Sequence, residues 1–198
     1  MKRIGVTGGM GMGKSTCAEL LRGMGLPTVD TDDLARDLVA LGQPALAEIA
    51  DAFGSSVIKP DGQLDRAALA RLVFPNEPKR RVLEGILHPK IRVAWREYLA
   101  RNAGRDGKPA VVIVPLLFET QVESDFDAIL CVACSAHEQA ARLAARGWSE
   151  AEIRQRNSAQ MDVSEKIARA HRVVWTEGSL ETHRYQLERI IGSFPKDC

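Results

Sequence analysis

Short apolar runs alternate along this chain with longer stretches of helical spacing. Ile4-Gly-Val-Thr7 is a brief run with β-branched residues, followed by glycines, and predicts a buried strand. Lys14 to Met24 sets Cys17, Ala18, Leu20 and Leu21 at helical intervals and stops at Gly25. Pro27-Thr-Val-Asp30 predicts a second strand that ends in an acid, with a helix following to about Leu41. From residue 43 to 103 the pattern is mostly helical. It comprises Pro44 to Phe53, Asp65 to Phe74, and a longer stretch from Pro78 to Arg101 that the His88-Pro89 step is expected to break. Ala110 to Val114 and Asp127 to Ala133 are continuous apolar runs, as suits strands covered on both faces. Ser135 to Arg146 reads as a helix. Ser149 to Ala170 reads as a further segment, opened by the capping box Ser149-x-x-Glu152. Val173-Val-Trp175 predicts a last strand, and Leu180 to Ile191 a closing amphipathic helix.

Five short strands alternating with helices predict an α/β fold with a five-stranded parallel sheet and helices on both faces. The block between the second and third strands is longer than a crossover needs, so it reads as a helical insert. The expected organisation is a single domain over 1–198. Its core is 1–31, 108–136 and 171–198, the insert covers about 32–107, and a further helical segment covers about 137–170.

Charge narrows the range of functions. Lys and Arg number 27 and Asp and Glu 26, so the net charge is 27 − 26 = +1. A chain that neutralises nucleic-acid phosphates carries a basic excess, and none is present, so nucleic acid is not an expected partner. The longest apolar run, Ala110 to Phe118, is about half of what a membrane span requires. No membrane association and no obligate protein partner are expected, and the expected location is the cytoplasm. Cys131-x-x-Cys134 has no second pair to complete a zinc site and falls in a predicted strand, so both read as small core residues. Pro195-Lys-Asp-Cys198 reads as a frayed tail whose thiol is open to adventitious oxidation.

The chemistry concentrates in Gly8-Gly-Met-Gly-Met-Gly13-Lys14-Ser15, which fits G-x-x-x-x-G-K-[ST] in full, between a strand and a helix. Glycines let such a loop turn its amides inward around phosphates, and the helix start aims its positive dipole end at the same point. Gly11, Met12, Gly13, Lys14, Ser15 and Thr16 are the candidate ATP-binding residues. Lys14 serves the β- and γ-phosphates, and the Ser15 hydroxyl is a candidate Mg²⁺ ligand. The guanine-reading Asn/Thr-Lys-x-Asp of GTPases and the Leu-Ser-Gly-Gly of transporter ATPases are both absent. A small-metabolite kinase remains. The acids of Val29-Asp30-Thr31-Asp32-Asp33 lie at the end of the second strand, where a carboxylate could accept the proton of an attacking hydroxyl; capping of the next helix would use Asp32 or Asp33. Arg142 and Arg146 share a helix face, and Arg154 and Arg156 follow. These four suit either the charge of a transferring phosphoryl group or a solvated surface.

These residues resemble the dephospho-CoA kinases, P-loop kinases related to nucleoside monophosphate kinases. The similarity covers nearly the whole chain: Gly5 to Thr16, Val29-Asp-Thr-Asp-Asp-Leu-Ala-Arg36, Leu64-Asp-Arg66, Leu83-Glu84 with His88-Pro89, Pro115-Leu-Leu-Phe-Glu119, Gln139 with Arg142 and Arg146, and Arg156 with Gln160. The resemblance implies a P-loop three-layer fold with a helical acceptor-binding insert and a helical lid. It implies ATP-dependent phosphorylation of the ribose 3′-hydroxyl of dephospho-CoA, the last step of coenzyme A synthesis, by a phosphotransferase acting on an alcohol. It gives catalytic parts to Lys14, Asp32, Arg142 and Arg146, acceptor contacts to Asp32, Arg66 and His88, and Mg²⁺ as cofactor. The chain departs from the family pattern at His171, at Thr176 where Asn is frequent, and at Ile113 where Asp is frequent. A kinase for another nucleoside or nucleotide, and an ATP-sensing regulator without turnover, are the competing expectations.

Overall fold

Strand β1 (Arg3–Gly8) occupies the centre of a five-stranded sheet in this computed structural model, which describes residues 2–158 and 160–194. The other strands are β2 (Thr28–Asp30), β3 (Ala110–Ile113), β4 (Ala128–Ala133) and β5 (Arg172–Trp175). Their order is β2-β3-β1-β4-β5 and every pairing is parallel, with Ile4 opposite Val111 on one side and Ala128 on the other. Parallel neighbours need crossover connections, and helices supply them. The helices are α1 (Lys14–Gly23), α2 (Thr31–Leu38), α3 (Pro44–Phe53), α4 (Arg66–Val73), α5 (Glu77–Asn102), α6 (Ala136–Ala144), α7 (Glu150–Asn157) and α8 (Val163–Arg169), which lie between strands, and α9 (Leu180–Ser193), which follows β5. The α/β class expected from the apolar runs is the class observed. The tail from Pro195 to Cys198 lies outside the described residues.

The chain divides into two compact units, residues 1–30 with 99–198, and residues 31–98. In the first, Ile4, Val6, Val111, Ile113, Leu130, Val132 and Val174 of the sheet pack with Cys17, Ala18 and Leu21 of α1 and Leu187 of α9. Each large aliphatic side chain buried in this way stabilises the fold by about 1.5–3 kcal/mol. Cys131 belongs to the buried strand β4 and Cys134 directly follows it, and both are free thiols. Burial pushes the Cys131 thiol up to about 11 and the Cys17 thiol up to about 12. In the second unit, Val39, Ala45, Leu46, Ile49, Val57, Leu64, Leu69 and Val73 form a separate core, with Leu83, Ile86 and Leu87 of α5 against it.

One expectation about helices is corrected. His88-Pro89 does not break its helix: α5 runs unbroken from Glu77 to Asn102 with Pro89 inside. Proline removes one ladder bond, but Leu83, Ile86 and Leu87 before it pack against a core and Trp95 and Leu99 after it are buried. Tertiary burial on both sides outweighs that local cost. The segment from Ser149 to Ala170 is two helices, because Asp162 accepts a hydrogen bond from the Ser164 amide at 2.8 Å and caps a new one.

Candidate active site

The glycine loop starts at the last residue of β1. Gly8 has φ 149°, and a Cβ there would lie 2.2 Å from the Val132 carbonyl oxygen of β4, so no larger residue fits. Gly13 has φ 94° and stands at the N-cap of α1 with no side chain capping the helix. The amides of the first turn therefore point out of the helix end and can receive an anion. The Lys14 ammonium folds back and donates to the carbonyls of Gly8 at 2.9 Å and Gly9 at 2.8 Å. Ser15 is exposed in the first turn of α1 and Thr16 is half-buried.

The loop is braced from outside by groups the sequence reading had not placed there. The Gln139 amide donates to the Met10 carbonyl at 2.7 Å. The Thr176 hydroxyl, just past β5, donates to the Met12 carbonyl at 2.9 Å. Arg142 then holds Thr176 with two bonds, Nη1 to the hydroxyl at 2.8 Å and Nη2 to the carbonyl at 2.6 Å, while its Nε donates to Glu138 at 2.8 Å. The Ser135 amide at the N-cap of α6 donates to Glu177 at 2.6 Å, and Ser135, through its side chain first and its amide second, holds the Glu177 carboxyl below its ordinary range. Thr176, one of the departures from the family pattern, is thus part of the wall behind the loop.

The remaining candidates fall on helix ends and helix faces. Arg142 is within α6 and reaches the loop through Thr176, whereas Arg146 lies exposed beyond the end of that helix. Arg154 pairs with Glu150 at 3.1 Å, and Arg156 stacks on Trp148 with 4.1 Å to the ring centre. Asp32 and Asp33 lie in the first turn of α2, inside the helix rather than at its cap, where a helix start favours negative charge. Asp33 pairs with Arg36 at 3.1 Å, and Asp32 is exposed. Arg66 opens α4, behind the cap Asp65, and its Nη2 reaches the Arg36 carbonyl of α2 at 3.5 Å. His88 is half-buried in α5. Asp32, Arg66 and His88 thus share the 31–98 unit.

Lys166, which the sequence reading missed, has a wholly buried side chain and an ion pair with Glu119 at 2.8 Å. The available signal was its place between Val163 and Ile167, on the apolar side of a short helix. Among the described residues there is no group of three or more His, Cys, Asp or Glu side chains able to hold a metal ion, and no helix long and apolar enough to cross a membrane.

A parallel sheet whose central strand runs into a glycine loop, a lysine and an open helix start defines a P-loop nucleotide-binding fold. Shikimate kinase from Acinetobacter baumannii shares the fold, with a TM-score of 0.55 at 13% identity. The particular family follows from closer likenesses. The family model described as dephospho-CoA kinase matches residues 2–182. Dephospho-CoA kinases of Anaeromyxobacter dehalogenans and Corynebacterium glutamicum are 46% and 40% identical, over 96% of this chain and 91% and 96% of their own lengths. The structure of TT1252 from Thermus thermophilus is 37% identical, with a TM-score of 0.82 over 98% of both chains. The chain belongs to the dephospho-CoA kinase family, and it is an enzyme of the phosphotransferase class.

Proposed function

We propose that this chain transfers the γ-phosphoryl group of ATP to the ribose 3′-hydroxyl of dephospho-CoA, giving coenzyme A and ADP in the last step of coenzyme A biosynthesis. The observation that carries the reading is the family match across residues 2–182, which takes in both the glycine loop and the helix bearing Asp32. The amides from Gly11 to Thr16 and the Lys14 ammonium receive the triphosphate. To do so, Lys14 exchanges its bonds to the Gly8 and Gly9 carbonyls for phosphate oxygens. Asp32 orients the 3′-hydroxyl toward the γ-phosphorus and accepts its proton as the new O–P bond forms. Arg66 and His88 contact the acceptor from the same 31–98 unit. Arg146 answers the charge that develops on the transferring group. Arg142 does so from its seat on Thr176, and closure of the helical segment over 137–170 excludes water.

Mg²⁺ fits the donors present. One exposed hydroxyl, Ser15, lies at the mouth of the loop, and this ion is usually held by few protein groups together with phosphates and water. When bound it neutralises phosphate charge. The cytoplasm is the proposed location, and ATP and dephospho-CoA are the proposed partners.

The test is ADP release from ATP and Mg²⁺, with dephospho-CoA, adenosine, AMP or shikimate as acceptor. Acceleration by dephospho-CoA alone, with a 3′-phosphorylated product by mass, is the expected result. Equal rates with another acceptor, or no acceptor-dependent rate from folded ATP-binding protein, would overturn it. Asp32→Asn should lower kcat by orders of magnitude and leave the circular dichroism unchanged.

A further inference from the structure

The string from Pro115 to Glu119 has no part in the mechanism above, yet it leaves the sheet at a telling place. Strand β3 lies between β2 and β1, so its loop emerges between the strand that ends in Asp30 and the strand that feeds the glycine loop. Ligands of parallel α/β sheets bind at this carboxyl edge. The loop is seated directly on β1: a Cβ at Gly5 would stand 2.7 Å from Leu117 Cδ1. We propose that Lys166 and Glu119 are positioning residues for phosphoryl transfer, which act by fixing this loop against the foot of the glycine loop. The proposal rests on the kinase reading.

The connection runs through one carbonyl. Pro115 O accepts from the Thr7 hydroxyl at 3.1 Å and from Lys166 Nζ at 2.8 Å. Thr7 is buried in β1 and immediately precedes Gly8. The same ammonium pairs with Glu119 Oε1, which also accepts from the Met161 amide at 3.0 Å, just ahead of α8. Farther along α8, Arg169 pairs with Glu123 and stacks on Phe118, 4.4 Å from the ring centre. Helix α8, the 115–119 loop and the end of β1 are therefore locked together through Lys166.

Stability alone is a poor explanation for this arrangement. A buried ion pair loses hydration that its attraction hardly returns unless every remaining polar site is bonded. Here Glu119 Oε2 is buried with no hydrogen-bond partner among the described residues. Two apolar side chains of the same volume would hold α8 at least as firmly. They could not hold the Pro115 carbonyl and the Met161 amide at hydrogen-bond distance. The pair is worth keeping for geometry, and geometry at this edge of the sheet bears on the transfer step more than on ATP affinity.

The experiment compares the full-length chain with Lys166→Met/Glu119→Leu, Glu119→Gln and Thr7→Val. Melting temperature, ATP KM and kcat with dephospho-CoA are measured for each. The double variant is expected to melt no lower than wild type. Its kcat should fall by about ten- to a hundredfold, the scale of a misplaced reacting group, with ATP KM within about twofold. Glu119→Gln keeps an acceptor for both Lys166 and Met161, so it should retain most of the wild-type kcat. Thr7→Val should lose several-fold in kcat. A stable double variant with wild-type kcat overturns the proposal. If the double variant does not fold, wild-type kcat in Thr7→Val does the same. Absence of dephospho-CoA-dependent turnover in the wild-type chain would instead overturn the kinase reading.

Discussion

The glycine loop and helix α7 both carry groups suited to phosphate, and they are held in opposite ways. Around the loop, partners come from α6, from β4 and from the turn after β5, and the Met12 side chain inside it is 2% exposed. Helix α7 has no buried residue. Its capping box, its Arg154–Glu150 pair and the stacking of Arg156 on Trp148 all join residues at most eight positions apart. Its link outward is a reciprocal amide pair between Asn157 and Gln139, with bonds of 3.4 and 3.5 Å. The Arg154–Glu150 pair is worth about 0.2–0.5 kcal/mol and the cap and the stack about 1 kcal/mol each, so α7 can move at modest cost. The glycine loop is fixed by groups distant in sequence, whereas the arginine-bearing arm is held mainly by its own neighbours.

Breaking the braced side should have the largest effect. Lys14→Ala removes the ammonium held over the loop and is expected to lower kcat by about 100- to 1000-fold, the usual scale for a transition-state donor. Lys14 is not a core side chain, so the melting temperature should stay within about 4 °C of wild type, equivalent to about 1 kcal/mol at this size. Steady-state kinetics and a thermal melt check both. A variant that turns over normally would remove Lys14 from the cradle.

A paired substitution sharpens the contrast. Thr176→Val keeps the shape behind the loop but loses the hydroxyl between Met12 and Arg142. One such bond is worth about 1 kcal/mol, so ATP KM should rise about fivefold while kcat changes less. Ser149→Ala removes the cap of α7 and weakens that helix by a similar amount. Because α7 buries nothing, the global melt should hardly move, whereas trypsin cleavage at Arg154 and Arg156 should speed up. Equal effects of the two variants on ATP KM would mean that the arm is as preorganised as the loop.

The same contrast decides what could be read from the sequence. The glycine loop was legible because its chemistry is local: positive φ at Gly11 and Gly13, a lysine and an open helix start lie within a few residues. The parallel strands were legible because double burial leaves continuous apolar runs. The brace was not legible, since Gln139, Arg142 and Thr176 meet Met10 and Met12 only after β4 and β5 have paired. Nor was the continuity of α5, where packing of Leu83, Ile86 and Leu87 and burial of Trp95 and Leu99 outweigh Pro89. Lys166 was hidden for a related reason: its place between Val163 and Ile167 hints at burial, but only the fold brings Glu119 to it.

The smallest expected effect again separates the braced side from the arm. His183 of α9 is 4% exposed, and its Nε2 is buried without a hydrogen-bond partner among the described residues. Burial first, and the nearby Arg142 guanidinium second, lower its pKa below the ordinary histidine value of 6.5. The folded chain therefore resists a proton that the unfolded chain accepts as pH falls through 6.5. Stability from this group is complete above that pH and is lost progressively toward the lower folded value. Between about pH 8 and about pH 5.5 the wild-type melt should fall by more than that of His183→Leu. A difference of up to about 4 °C is expected, corresponding to about 1 kcal/mol in a chain of this size. Identical slopes would mean that His183 is protonated without penalty, and that the ground between α9 and Arg142 is as open to water as α7.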